Sequence, residues 1–133
     1  MSIRRRPEFI IGEAAMQLNM LKCKIHRATV TECDLEYEGS ISIDQDLIEA
    51  AGMHKFERVE IYNVNNGERF ATYVIEGERG TGEIGLNGAA ARKAVKGDEL
   101  IICAYGQIPS EEAGNYNATL VFVDKANKIS TLN

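Results

Sequence analysis

The chain of 133 residues has no tryptophan, two prolines, two histidines and three cysteines, and each shortage excludes something. With five tyrosines and four phenylalanines as its only aromatics, it offers little material for a surface on which nucleic-acid bases stack. His26 and His54 do not combine with Cys23, Cys33 and Cys103 into a zinc-binding spacing, and no CxxC pair occurs, so no metal is expected. An odd number of scattered cysteines fits free, buried thiols and a reducing cytoplasm. No apolar run approaches the roughly 20 residues that cross a bilayer, so no membrane partner is expected. Basic residues are outnumbered, 15 against 20 acidic, giving a net charge of −5. That balance argues against nucleic acid and anionic membranes as partners.

What is present fits one ordinary domain: 44% of residues are hydrophobic and 26% charged, enough apolar matter for a core. Residues 1–19 differ in texture. They begin with the basic run Arg4 to Arg6, and their apolar part is broken by Gly12 and Glu13, which makes a poor signal peptide. They read as an N-terminal tail, either natural, a misassigned start or a remnant of expression, and Met20 would serve equally well as a start. Residues 20–133 read as the single domain.

From Met20 the pattern is mostly strand. "LKCKIHRATVTE" alternates apolar and polar residues and puts Lys24 and His26 on one face. "GSISID" continues with strand period. Asp44 is placed to cap a short helix, "QDLIEAA", which buries Leu47, Ile48 and Ala51 and stops at Gly52. "RVEIYNV" and "ERFATYVIEG" form a hairpin, with Asn66-Gly67 expected to make a type I′ turn. In the second arm Arg69, Ala71 and Tyr73 share one face, and Phe70 and Thr72 the other. A short strand then leads to a helix expected to open near Asn87 and Gly88, whose free N–H groups could hold an anion. "GDELIICAYGQI" reads as a buried strand, "EEAGNY" as a short helix or turn, and "NATLVFVD" as another strand. Several short strands with brief helices point to a mainly β fold, a small closed barrel, because closure removes exposed edges. Periodicity does not give the crossover topology.

The reactive groups have ordinary readings one by one. Gly39-Ser40 in "YEGSISID" is first a turn pair. Lys24 and His26 are first a half-exposed polar strand face, Arg69 and Tyr73 cross-strand partners, and Asn87 a cap. No GxSxG elbow surrounds Ser40. The glycine-rich "GERGTGEIGLNG" lacks the ending of a phosphate loop and reads as loop and turn. Taken together and in order, however, "KIHRATVT", "DLEYEGSISID", "AAGM", "YNVNNGERFATY", "ERGTGEIGLNGAAA" and "GDELIICAY" resemble the pyruvoyl-dependent aspartate 1-decarboxylases of pantothenate biosynthesis. The resemblance runs from Met20 to Val123. Tyr62 stands where relatives often carry tryptophan, and Glu68 is acidic where some are basic.

The resemblance implies a double-psi β-barrel, assembled as a homotetramer with active sites between subunits. It implies self-cleavage between Gly39 and Ser40 into 1–39 and 40–133, with Ser40 converted to a covalent pyruvoyl group and no pyridoxal phosphate. L-aspartate would form an imine with that group and leave as β-alanine and CO₂. By the same resemblance Ser40 and Tyr73 are catalytic, Tyr73 as proton donor. Lys24 and Arg69 supply positive charge to substrate carboxylate. Thr72 contacts substrate and takes part in cleavage, and Gly88, Ala89 and Ala90 form a substrate-binding segment. His26, Tyr37 and Asn87 lie in support. A helper protein for maturation is left open. Two alternatives stay open as well: a related pyruvoyl decarboxylase for another acidic amino acid, and an uncleaved barrel without enzymatic activity.

Overall fold

A computed structural model describes residues 16–133 of the protein. The basic run Arg4 to Arg6, read as a solvated tail, lies outside the described residues. The elements run β1 (Gln17–Thr29), β2 (Glu32–Asp34), β3 (Ser40–Asp44), α1 (Gln45–Ala51), β4 (Arg58–Asn63), β5 (Arg69–Gly77), β6 (Ile84–Asn87), β7 (Glu99–Pro109), β8 (Thr119–Val123) and β9 (Ile129–Leu132). Two 3₁₀ segments, Gly88–Lys93 and Ser110–Asn115, complete the chain. The mainly β, barrel-like class expected is the one found. All nine strands join one sheet in the order β2-β6-β3-β5-β4-β7-β1-β8-β9. Simple hairpins give antiparallel neighbours; here β1–β8, β2–β6 and β3–β5 are parallel, so the chain crosses over between them.

One apolar belt shows why these strands pair as they do. Val121, Ile25, Ile102, Ile61 and Phe70 are successive cross-strand partners over β8, β1, β7, β4 and β5, and the first four are completely buried. Ile41 pairs with Val74 on one side and Leu86 on the other, extending the core through β3, β5 and β6. Because side chains alternate, the neighbouring register Leu120, Lys24, Cys103, Glu60 and Ala71 faces the other way. Lys24 and His26 share the less buried side of β1, as the alternation implied. The alternation then breaks at Arg27, which takes φ 64° at a bulge between Ile25 and Ala28.

Helix α1 forms as the sequence implied. Asp44 caps it with a bond from Asp46 N–H at 2.8 Å, Gly52 ends it at φ 79°, and Leu47, Ile48 and Ala51 are buried. The hairpin of β4 and β5 also forms, but its turn is not type I′. That turn needs positive φ at two residues, and only Gly67 has it. Instead the Asn63 carboxamide oxygen accepts from Asn65 N–H and Asn66 N–H, and Gly67 N–H closes a wider loop onto the Asn63 carbonyl. Strand β1 begins at Gln17, ahead of Met20, because residues 17–20 pair with Gly106–Pro109 of β7.

The glycine-rich segment wraps a carboxylate of the protein itself. Buried Asp44 accepts from Gly80 N–H at 3.0 Å and Gly82 N–H at 2.7 Å as well as from its helix. Burial pushes the Asp44 carboxyl up, but these three N–H groups and Lys128 outweigh it and hold it below its ordinary value. A lowered carboxyl stabilises the fold above its unfolded pKa of about 3.9 and loses that contribution as pH falls through the folded value. Asp44→Ala is therefore expected to lose about 2–4 kcal/mol in a denaturant titration at pH 7, because it strands buried N–H groups. The gap to the unmutated protein should narrow below pH 4, which the same titration at low pH checks.

Candidate active site

Strand β6 organises the region around Gly39-Ser40. It lies between β2 and β3, and Asn87 at its end is the cross-strand partner of both Asp34 and Ser40. Residues 35–39 therefore form a short arch with both feet on one strand. The arch starts with an Asx turn, Glu36 N–H to Asp34 Oδ1 at 3.1 Å, and carries Tyr37 exposed on its outside. Its far end comes down on Gly88. A Cβ on Gly88 would lie 2.7 Å from Gly39 Cα and 3.0 Å from the Tyr37 carbonyl oxygen, and Gly88 takes φ +65°. Only glycine fits there on both counts. Gly39 itself needs no such freedom: a Cβ on it would meet nothing within 4 Å.

Ser40 is 1% exposed. Its hydroxyl donates to the Glu38 carbonyl at 3.2 Å and accepts from Asn87 Nδ2 at 3.0 Å; the same amide nitrogen donates to Ser42 Oγ at 3.1 Å. Both serines sit on one face of β3 with Asn87 across from them. Among the described residues no titratable side chain bonds the Ser40 hydroxyl; its partners are an amide and a carbonyl. This corrects the expected helix start. Gly88–Lys93 is a six-residue 3₁₀ segment, Asn87 makes no capping bond, and its side chain is spent on the two serines. Within that segment Ala90 is buried and Ala89 exposed.

Pairing of Ile41 with Val74 brings Tyr73 level with Ser40 on the adjacent strand. Tyr73 stands opposite Arg58, with its ring 6.0 Å from that of Phe56, a residue held at φ 70°. Sequence reasoning did not single out Phe56 or Arg58. Thr72 and Tyr73 line an open depression with Arg58 and Ala71. Gly39, Ser40, Thr72, Tyr73, Asn87 and Gly88 thus belong to one neighbourhood.

Lys24, His26 and Arg69 do not join it within one chain. Three strands, β5, β4 and β7, separate β3 from β1, which carries Lys24 and His26. Arg69 lies four residues along β5 from Tyr73, about 13 Å at strand rise. Among the described residues, Lys24 and Arg69 make no ion pair, whereas Lys22, Arg27, Arg58, Arg79 and Lys93 all do. Arg69 instead stacks on Tyr62, 3.9 Å from its ring centroid. His26 packs edge-on against Phe122, and its Nδ1 is buried without a partner. Burial first, then Lys24 and Arg27, pushes the imidazole below its ordinary value, so it is neutral at pH 7. Among the described residues no group of three or more His, Cys, Asp or Glu could hold a metal ion, and no helix is long and apolar enough to cross a membrane.

Comparison with known proteins draws on the same stretch of chain. The model of a family described as aspartate decarboxylase matches residues 16–130. An aspartate 1-decarboxylase of Ralstonia nicotianae is 57% identical over 117 residues, 88% of this chain and 98% of that protein. One of Cupriavidus necator is also 57% identical, with the same coverage. One of Bordetella avium is 56% identical over 117 residues, 88% of this chain and 96% of its own. A match that takes in the Gly39-Ser40 arch, the Asn87-Gly88 corner, Lys24 and Arg69 leaves one assignment: the chain belongs to the aspartate decarboxylase family.

Proposed function

We infer that this chain decarboxylates L-aspartate to β-alanine and CO₂, in the supply of pantothenate, on a pyruvoyl group that it makes by cutting itself between Gly39 and Ser40. The observation that carries the reading is the Ser40 hydroxyl, buried and held by Asn87 in a tight arch whose Gly39 backbone rests on Gly88. In the cut, Ser40 Oγ bonds to the Gly39 carbonyl carbon and the peptide C–N bond breaks, turning the amide into an ester. Loss of Gly39 as a carboxylate from the Ser40 β-carbon leaves dehydroalanine, and water replaces its nitrogen, released as ammonia, to give the keto group. The residues around Ser40 suit that group: the new terminus would head β3 beside the Asn87 amide, an uncharged hydrogen-bond donor. A pyruvoyl group supplies a carbonyl that captures an amine and draws electrons from the bond to a departing carboxylate.

The side chains do the rest. Arg69 and Lys24, neither of which has a carboxylate partner among the described residues, are suited to hold substrate carboxylate. The stronger clamp belongs on the carboxylate that stays, because gripping the one that leaves would stabilise the ground state. Tyr73 returns a proton to the carbon that lost CO₂. The distance between the cations and Ser40 within one chain supports a homotetramer in which neighbouring subunits complete each site, and native mass spectrometry should find four copies. The cytoplasm, where the free thiols remain reduced, is the expected location.

Intact-mass analysis tests the whole reading. Purified protein should separate into fragments 1–39 and 40–133, and borohydride with aspartate should add the mass of the captured amine to the second fragment. An uncut chain that still makes β-alanine would refute the pyruvoyl reading; an uncut, inactive chain would favour the non-enzymatic barrel. Arg69→Lys retains the charge but loses the two-point hydrogen bond. With a charge-assisted bond worth ~1.5–3 kcal/mol, kcat/KM for aspartate should fall roughly tenfold to a hundredfold, with cleavage spared. An unchanged kcat/KM would make Arg69 a structural residue only.

A further inference from the structure

Arg69 is braced in an unusual way for a surface arginine. It is the direct cross-strand partner of Tyr62, and its guanidinium sits over the Tyr62 ring, with Cζ 3.9 Å from the centroid. Stacking engages the face of a guanidinium and leaves its N–H edges free. Among the described residues Arg27, Arg58 and Arg79 all spend those edges on carboxylates; Arg69 spends none. A stack of this kind is only as fixed as the ring beneath it. The Tyr62 hydroxyl is tied to the Tyr105 hydroxyl at 2.8 Å, bridging β4 and β7. The bond to Tyr62, with some burial, pushes the Tyr105 phenol far above its ordinary value, so the Tyr105 hydroxyl keeps its proton across the neutral range.

We propose that the Tyr62–Tyr105 hydroxyl pair holds a stacking platform that aims the Arg69 guanidinium at substrate carboxylate, which makes Tyr62 and Tyr105 positioning residues for aspartate binding. This rests on the reading of Arg69 as the carboxylate clamp. The carboxylate that stays is bound alike in ground and transition states, so loss of the platform shows in KM rather than kcat.

Steady-state kinetics of matured enzyme, with cleavage verified by mass, tests it. Tyr62→Leu should raise the KM for L-aspartate roughly threefold to thirtyfold, the range of a cation–π contact, with kcat kept within about twofold. Tyr62→Phe and Tyr105→Phe retain both rings and break only the hydroxyl bond. Each should raise KM about two- to tenfold, and the double variant should be no worse than either single one. In an Arg69→Ala background, Tyr62→Leu should change KM no further, a coupling that a merely structural role for Tyr62 would not produce. Should Tyr62→Leu fail to mature, the two Phe variants and their double decide the question. Additive effects in the Arg69→Ala background overturn the proposal, as does an unchanged KM in the Tyr62 variants where Arg69→Ala raises it. If Arg69→Ala itself leaves KM unchanged, the clamp reading falls and the proposal with it.

Discussion

Ser40→Ala is expected to leave a single uncut chain of 14.7 kDa with no decarboxylase activity. The substitution removes one oxygen from a buried position, and alanine occupies less space than serine. Its structural cost is small. The Glu38 carbonyl loses a donor and Asn87 loses one acceptor, but the Asn87 amide keeps its bond to Ser42 Oγ at 3.1 Å. A net hydrogen bond is worth about 1 kcal/mol, far less than a domain of this size has in reserve. The chemical cost is total, because the hydroxyl is both the attacking atom and the oxygen later eliminated. The neighbouring Ser42 cannot substitute: it lies two residues into β3, away from the Gly39 carbonyl. Intact mass and β-alanine analysis on the same sample check the outcome, and decarboxylation by a verified uncut Ser40→Ala chain would sink the mechanism.

How far such features can be read from sequence depends on whether their cause is local. Helix α1 was legible because its cap, apolar face and stop all lie within residues 44–52. The hairpin was legible as well, though its turn was not, since the Asn63 side chain takes over the bonds that Asn66-Gly67 would otherwise have made. Strands β2 and β9 gave no signal. The first is three residues long, and the second is exposed along its whole length, so it shows no alternation. Parallel pairs such as Lys24 with Leu120 join residues far apart in sequence and leave no local trace.

At the site, Gly39-Ser40 stood out only through family resemblance. The Asn87 amide could not be assigned to Ser40 because that bond depends on antiparallel pairing between β3 and β6. The alternation of Ser40 and Ser42 on one face was the one local clue. Glycine at position 88 looked like a helix opening, but its cause is the arch pressed against it. Asn127 was missed altogether. It sits in an ordinary turn sequence, yet its buried side chain bonds the Thr29 backbone twice and the Gly82 carbonyl once.

Tyr73→Phe is expected to mature normally and then turn over aspartate ~10²–10⁴-fold more slowly, the usual contribution of general-acid catalysis. Tyr73 lies on the strand next to Ser40, level with it by the register of Ile41 and Val74, and on the same face as Arg69. Its hydroxyl makes no hydrogen bond among the described residues, whereas its ring has a settled contact with Phe56. Removing only the hydroxyl therefore leaves the packing as it is and costs little stability. A phenol is a proton donor at neutral pH, and a carbon that has just lost CO₂ needs one. Cleavage at Gly39-Ser40 is expected to proceed without Tyr73, since among the described residues the Ser40 hydroxyl is bonded to Glu38 and Asn87 and not to Tyr73. Maturation and borohydride trapping of aspartate should therefore persist in the variant while product formation collapses. The combination separates a proton donor from a packing residue: if Tyr73 only packs, phenylalanine would serve equally well. Near-normal β-alanine formation by a fully cleaved Tyr73→Phe enzyme would remove Tyr73 from the mechanism and assign the proton to water or to another side chain.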